Sequence, residues 1–172
     1  MATYYWIGRG TWDGSNTANW AASSGGSGPA GPPLSTDAVV FDAASGSGTC
    51  TLGANVTALS MNMSGYTGTL AFGTNKIGLT GNNISPAIFT GATTVSITGT
   101  PLIELTYSGS VGIRTIASKA VSEANSISFT ITQGSDTINN SASNDTVRNF
   151  TFAAGFTGTL SQSSARQVYG DL

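Results

Sequence analysis

The chain has 172 residues, a net charge of −2 at neutral pH and only 8% charged residues. Its six scattered lysines and arginines form no basic stripe, which disfavours nucleic-acid binding. No apolar run approaches the roughly 20 residues that cross a bilayer, so we expect no membrane insertion. Without histidine and with one cysteine, histidine triads, imidazole metal sites and papain-like catalysis are excluded. Apolar β-branched and aromatic residues alternate with polar ones, which predicts one all-β domain.

Residues 1–22 carry all three tryptophans. Residues 4–7 predict a strand, residues 11–14 a turn and residues 16–20 a single helical turn. We expect this segment to form a small aromatic cap over the open end of a repeat structure. The alternative is a docking surface for a partner chain or a sugar. Its candidate residues are Tyr4, Tyr5, Trp6, Trp12 and Trp20.

Residues 23–36 are dense in glycine, proline and serine, which predicts a flexible loop and the one boundary inside the chain. From residue 37 onward, short alternating stretches recur at intervals of roughly 7 to 11 residues, as in a sandwich, barrel or solenoid. Residues 117–125 fit either a helix or a loop. The predicted strands are 38–41, 49–52, 58–63, 69–72, 76–80, 87–89, 94–98, 102–107, 111–116, 126–132 and 147–160, the last of them broken at Gly155.

A six-residue phrase occurs twice, as G-Y-T-G-T-L at residues 65–70 and G-F-T-G-T-L at residues 155–160. The separation of 90 residues (155 − 65) corresponds to about three coils of three strands each. We therefore predict a parallel β-helix over residues 37–172, with Tyr66 and Phe156 at equivalent places and Leu70 and Leu160 in the core. A β-sandwich is the second choice, and the lack of Asn-Gly or Asp-Gly turns after residue 14 disfavours it.

Paired carboxylates are the remaining route to catalysis, and β-helix enzymes that cleave polysaccharides use them. The eight acids form no local cluster, and Glu104 is expected to point outward from the middle of its strand. We therefore predict a non-enzymatic protein without catalytic residues, metal or cofactor. Cys50 is expected to be a small buried apolar residue. Threonine rows at residues 95–98 and 129–132 are too irregular to predict an ice-binding face.

The stretch W-D-G-S-N-T-A-N-W at residues 12–20, the glycine- and proline-rich loop, T-D-A-V-V-F-D at residues 36–42 and the two repeated phrases share a known pattern. Together they resemble β-helical surface proteins: autotransporter-type bacterial adhesins and phage virion appendages such as fibres, spikes and capsid decorations. The resemblance implies a right-handed parallel β-helix with a structural or adhesive role. Because these motifs are structural, no functional residue is carried over from it.

The first residues lack the charged start and apolar core of a secretory signal, which favours a virion protein made in the host cytoplasm. We expect a bacteriophage structural protein that docks on capsid or tail proteins through its N-terminal segment and projects its solenoid outward. The solenoid is expected to continue beyond residue 172, and the resemblance favours a homotrimer. A host-surface glycan is a further candidate partner. The alternatives are an extracellular or cell-surface adhesin and a polysaccharide-degrading tailspike, whose activity would require Glu104 or another solvent-facing acid.

Overall fold

The computed structural model describes residues 1–8, 10–81, 87–88, 96–107, 109, 113–117, 126–140, 146–162 and 167–168. These residues form short strands and one 3₁₀ helix of three residues, Ala43–Ser45. None of the helical structure described is long and apolar enough to cross a membrane. The strands are β1 (Thr3–Trp6), β2 (Gly10–Trp12), β3 (Trp20–Ala21), β4 (Ala38–Val40), β5 (Thr49–Leu52), β6 (Val56–Ala58), β7 (Ser60–Asn62), β8 (Thr69–Ala71), β9 (Ile77–Leu79), β10 (Ala87–Ile88), β11 (Ser96–Thr98), β12 (Leu102–Leu105), β13 (Ile113–Ala117), β14 (Ile127–Gly134), β15 (Thr137–Asn140), β16 (Thr146–Phe156), β17 (Thr159–Gln162) and β18 (Gln167–Val168).

The described strands stack into three sheets that the chain visits in turn. The first sheet has the order β17-β15-β13-β10-β7-β4-β1-β3, the second β11-β8-β5-β2 and the third β18-β16-β14-β12-β9-β6. Every described pairing is parallel except that of β1 with β3. Coils such as β4-β5-β6 and β7-β8-β9 contribute one strand to each sheet. The predicted β-solenoid is confirmed, and the β-sandwich, which needs antiparallel sheets, is wrong.

The core follows from alternation within each short strand. In β5, Cys50 and Leu52 are buried, whereas Thr49 and Thr51 point to solvent. Parallel register then places each buried residue against an apolar residue of the neighbouring coil, about 4.8 Å away. In the third sheet Ile103 lies between Ile77 and Phe129. Burying each such side chain contributes about 1.5–3 kcal/mol.

Coil length varies along the chain. In the third sheet, Ile77 follows its partner Val56 after 21 residues (77 − 56). Ile103 follows Ile77 after 26 residues (103 − 77), and Phe150 follows Phe129 after 21 (150 − 129). The turns absorb these differences, so the number of residues between two points does not fix the sheet on which each lies.

Residues 1–22 are the first coil of the solenoid. β1 pairs in parallel with β4, and β2 pairs in parallel with β5. The turn predicted at residues 11–14 is therefore wrong for its first half, which belongs to β2. The helical turn predicted at residues 16–20 is also wrong, because Trp20 begins β3. Residues 23–36 contain no helix or strand.

Most predicted strands lie within a few residues of observed ones, but β2, β3, β6, β15 and β18 were missed. The break predicted at Gly155 occurs instead after Phe156, where β16 ends before β17 begins at Thr159. Of the segment predicted as a helix or a loop, Ala117 ends β13 and residues 118–125 lie outside the described residues.

One buried carboxylate ties the first coil to the second. Asp37 is only 6% exposed and accepts hydrogen bonds from two backbone N–H groups, that of Ala2 at 2.7 Å and that of Leu34 at 3.2 Å. A buried carboxylate requires such donors, since burial without them is costly. Asp37 thereby holds the start of the chain and the end of the loop against β4.

Candidate functional site

The three tryptophans predicted to dock a partner lie in the core of the first coils. Trp6, Trp12 and Trp20 are at most 1% exposed. The ring of Trp20 meets those of Trp6 and Trp12 edge to face, with centroids 5.2 and 5.3 Å apart. Phe41 packs 5.6 Å from Trp6, and Tyr66 packs 5.3 Å from Phe41. Contrary to the docking prediction, these tryptophans offer no surface to a partner.

Tyr4 and Tyr5 are the predicted docking residues that retain exposed surface. Both are half-buried in β1, and Tyr4 packs partly against the core. Tyr5 lies in register with Ala21 on one side and Val40 on the other. The only part of the predicted docking surface that remains accessible is therefore at the first strand of the first sheet.

Glu104 points outward from β12, as predicted, between the buried Ile103 and Leu105. One of its carboxylate oxygens lies 2.9 Å from Nζ of Lys76, and the two side chains are 21% and 40% exposed. The pair links two neighbouring coils on the outer face of the third sheet. Exposed pairs of this kind stabilise the fold by at most about 1 kcal/mol. The pair matters here because it lies beside a groove.

Beside this pair, a polar groove of about 600 Å³ runs along the outer side of the third sheet. Lys76 and Arg148 supply two cations. Three amide side chains line it, those of Asn55, Asn75 and Asn149. Five hydroxyls also line it, those of Thr74, Thr100, Ser128, Thr130 and Thr151. The described lining contains no carboxylate and no aromatic ring.

The groove has an ordered wall because its residues lie at a corner where successive coils are hydrogen-bonded together. Nδ2 of Asn75 donates to the carbonyl of Leu52 at 2.8 Å, and Oδ1 of Asn55 accepts from the N–H of Lys76 at 3.1 Å. Oγ1 of Thr100 donates to the carbonyl of Gly73 at 2.9 Å. Each bond satisfies a backbone group that the turn leaves without a sheet partner. The site is therefore held in place before any ligand arrives.

Two acids outside the groove, Asp13 and Asp42, accept hydrogen bonds from the backbone. Oδ1 of Asp13 accepts from the N–H groups of Ser15 and Asn16, both at 2.9 Å, and these bonds lower the pKa of its carboxyl. Oδ1 of Asp42 accepts from the N–H of Ser45 at 3.1 Å and caps the 3₁₀ helix. Among the described residues, no three cysteines or acids come close enough together to hold a metal ion.

The thiol of Cys50 is fully buried, and this burial raises its pKa far above the ordinary range, so it stays protonated at neutral pH. The described lining of the groove contains neither a thiol nor a carboxylate, and its groups can bind a ligand through hydrogen bonds and charge.

Threonines form an ordered feature that the sequence reading missed. The hydroxyls of Thr80, Thr106 and Thr132 lie 3.3, 3.4 and 3.1 Å from the carbonyl oxygens of Ala58, Leu79 and Leu105, each one coil earlier. These threonines recur every 26 residues (106 − 80 and 132 − 106), and that period could have revealed them. Thr132 of the threonine rows is therefore occupied in holding coils together.

Comparison with protein-family models, with curated proteins and with solved structures found no match for this chain. The fold and the groove are therefore the basis on which a function is assigned.

Proposed function

We propose that the chain is a non-enzymatic structural protein of a bacteriophage particle, a fibre, spike or capsid decoration. The observation that carries this proposal is the continuous stack of parallel strands, which runs from the first residues of the chain to β18. In a solenoid each coil is stabilised mainly by its neighbours, which produces a stiff, elongated module. Its few charges and many short polar side chains suit a protein exposed outside the cell.

The burial of the tryptophans changes how attachment is proposed. Trp6, Trp12 and Trp20 form the core of the first coils. The proposed contact with capsid or tail proteins is therefore made by the surface around Tyr4 and Tyr5. Aromatic side chains with a polar tip are common at such interfaces. The solenoid then projects away from the particle, and a homotrimer is the proposed assembly.

The groove supports binding over cleavage. A polysaccharide-degrading tailspike needs two carboxyl groups about 5–10 Å apart across the scissile bond. Glu104 lies beside the groove and is paired with Lys76, and no acid lines the described groove. A tailspike of this kind is therefore less well supported than a structural protein.

Immunogold electron microscopy tests the proposal. Antibodies raised against the purified chain are applied to intact bacteria of the encoding strain and to the particles released on lysis. Label on the particles, together with a trimer mass by light scattering, is the expected result. Label confined to the bacterial surface would support the adhesin instead, and a stable monomer that labels no particle would overturn the proposal.

A further inference from the structure

We infer that the groove on the third sheet binds an acidic oligosaccharide, through Lys76, Arg148 and the hydroxyl and amide groups around them. This goes beyond the proposed structural role and does not depend on which particle or cell carries the chain. The inference rests on the shape, the charge and the donor set of the groove.

The shape favours a chain-like ligand. Asn55, Asn75, Pro101, Ser128 and Asn149 line the groove, one from each of five successive coils of the third sheet. Four coil spacings of about 4.8 Å give a length of about 19 Å. A groove that climbs the side of the solenoid over this distance accommodates several linked sugars better than a single one.

The charge favours an acidic ligand. The described lining has two cations and no carboxylate, in a chain whose net charge is −2. Glu104 contacts Lys76 from beside the groove and offsets part of its charge. A carboxylate of the ligand would take the place of Glu104 at Lys76 or bind at Arg148 beside the interaction that Arg148 already makes. Charge-assisted hydrogen bonds are the stronger kind.

The donor set favours a saccharide over a single-stranded nucleic acid. Hydroxyls and amides such as those of Thr130, Thr151 and Asn149 both donate and accept, and this matches the hydroxyl groups of sugars. Single-stranded nucleic acids are bound mainly by stacking on aromatic rings along a basic groove. The described lining contains no aromatic ring, and only two cations line it.

Calorimetric titration of the purified full chain tests the inference, with oligomers of galacturonic acid as the acidic probe and oligomers of glucose of the same length as the neutral one. We expect binding of the acidic probe and a loss of affinity as the salt concentration rises. Arg148→Gln and Lys76→Gln should each weaken binding about 3- to 10-fold, as removal of one charged contact does. Glu104→Gln should strengthen it about 2- to 5-fold, because Lys76 is then released for the ligand.

Arg114→Gln is the matched control, since it removes the same charge from β13 in the first sheet and should leave affinity unchanged. Thermal melting checks that each variant folds. If Arg148→Gln does not fold, the opposite effects of Lys76→Gln and Glu104→Gln still decide the matter, because both side chains are partly exposed. Absence of acidic-sugar binding, equal weakening by Arg114→Gln, or tighter binding of a single-stranded oligonucleotide would each overturn the inference, whatever the immunogold result.

Discussion

The two occurrences of the repeated phrase, at residues 65–70 and 155–160, build the same corner. In both, the N–H after the second glycine donates to a carbonyl one coil earlier: Thr69 to Gly48 and Thr159 to Asp136, each at 3.1 Å. A Cβ on either of these glycines, Gly68 or Gly158, would collide with that carbonyl and with the phrase's own aromatic ring. The phrase therefore specifies a tight turn whose aromatic ring folds back under its glycine.

The corners differ in where they lie. The first leads into β8 of the second sheet, with Leu70 fully buried, whereas the second leads into β17 of the first sheet, with Leu160 half-buried. Tyr66 is fully buried, but Phe156 is only half-buried and packs 5.0 Å from Phe152. The prediction that the two aromatics occupy equivalent places is right for the local turn and wrong for the sheet. The same local sequence is thus stabilised to different degrees by its surroundings.

Truncation of Tyr66 and of Phe156 should give the largest difference in stability between the two corners. Tyr66→Ala removes a fully buried ring and should cost about 3–5 kcal/mol of unfolding free energy, whereas Phe156→Ala should cost about half of that because part of its ring is already in water. Urea unfolding followed by circular dichroism measures both. Equal losses would mean that the two corners are equally packed, against the structure.

Replacing Gly68 or Gly158 by alanine should destabilise the two corners to the same degree. Gly68→Ala and Gly158→Ala should each destabilise by about 2–3 kcal/mol, because in both corners the Cβ meets a carbonyl oxygen that belongs to the sheet. Gly73→Ala is the control: Gly73 has a φ of +59° and open space around it, so only the backbone term of about 1 kcal/mol applies. Tolerance of Gly158→Ala alone would show that the second phrase does not form the corner.

Alkaline pH should lower the unfolding free energy of the chain through two buried groups at the first corner, Tyr66 and Cys50. Burial raises the pKa of both Tyr66 and Cys50 in the folded chain. In the unfolded chain these groups titrate at about 10 and about 8.5. The unfolded chain therefore loses its protons first as the pH rises, so the stabilisation is complete below about pH 8 and about 2–3 kcal/mol of it is lost by pH 10.

Variants at each corner test which of the two corners causes this loss of stability. Cys50→Ala combined with Tyr66→Phe should flatten the decline in stability between pH 8 and 10, and Phe156→Leu should leave that decline intact. A decline that persists in the double variant would place its origin outside the first corner.

Much of the fold could be predicted from the sequence because each short strand alternates locally. Thr49-Cys50-Thr51-Leu52 indicates one buried face wherever it is placed, and the glycine-rich turns indicate many short strands. The position of each strand among the three sheets could not be predicted, because the coil length changes between 21 and 26 residues without a local signal. Dividing 90 residues by an average coil therefore placed the two phrases at equivalent positions, whereas they lead into different sheets.

The groove could not be predicted from the sequence. The groove brings together residues from Asn55 to Thr151, and apart from Pro101 and Leu102 each of them is an ordinary polar residue in its own strand or turn. Only the register of five coils makes them neighbours. Conversely, the sequence left Trp12 and Trp20 open to two interpretations, a small core or cap and a docking surface. Their burial depends on Phe41 in the next coil, which no local pattern reveals.

The central claim is that the two phrases build the same corner on different sheets of one parallel solenoid, and engineered disulfides test it most directly. Thr69 lies beside Thr49, and Thr159 beside Thr137, whose Oγ1 atoms are 3.0 Å apart. Parallel neighbours about 4.8 Å apart fall within the range that a disulfide spans.

In a Cys50→Ala background, we predict that Thr49→Cys with Thr69→Cys and Thr137→Cys with Thr159→Cys each form an intramolecular disulfide under mild oxidation, detected by mass and by loss of free thiols. The exchanged pairs, Thr49→Cys with Thr159→Cys and Thr137→Cys with Thr69→Cys, should keep their thiols. Disulfides in the exchanged pairs, or in none of the four, would contradict this account of the fold.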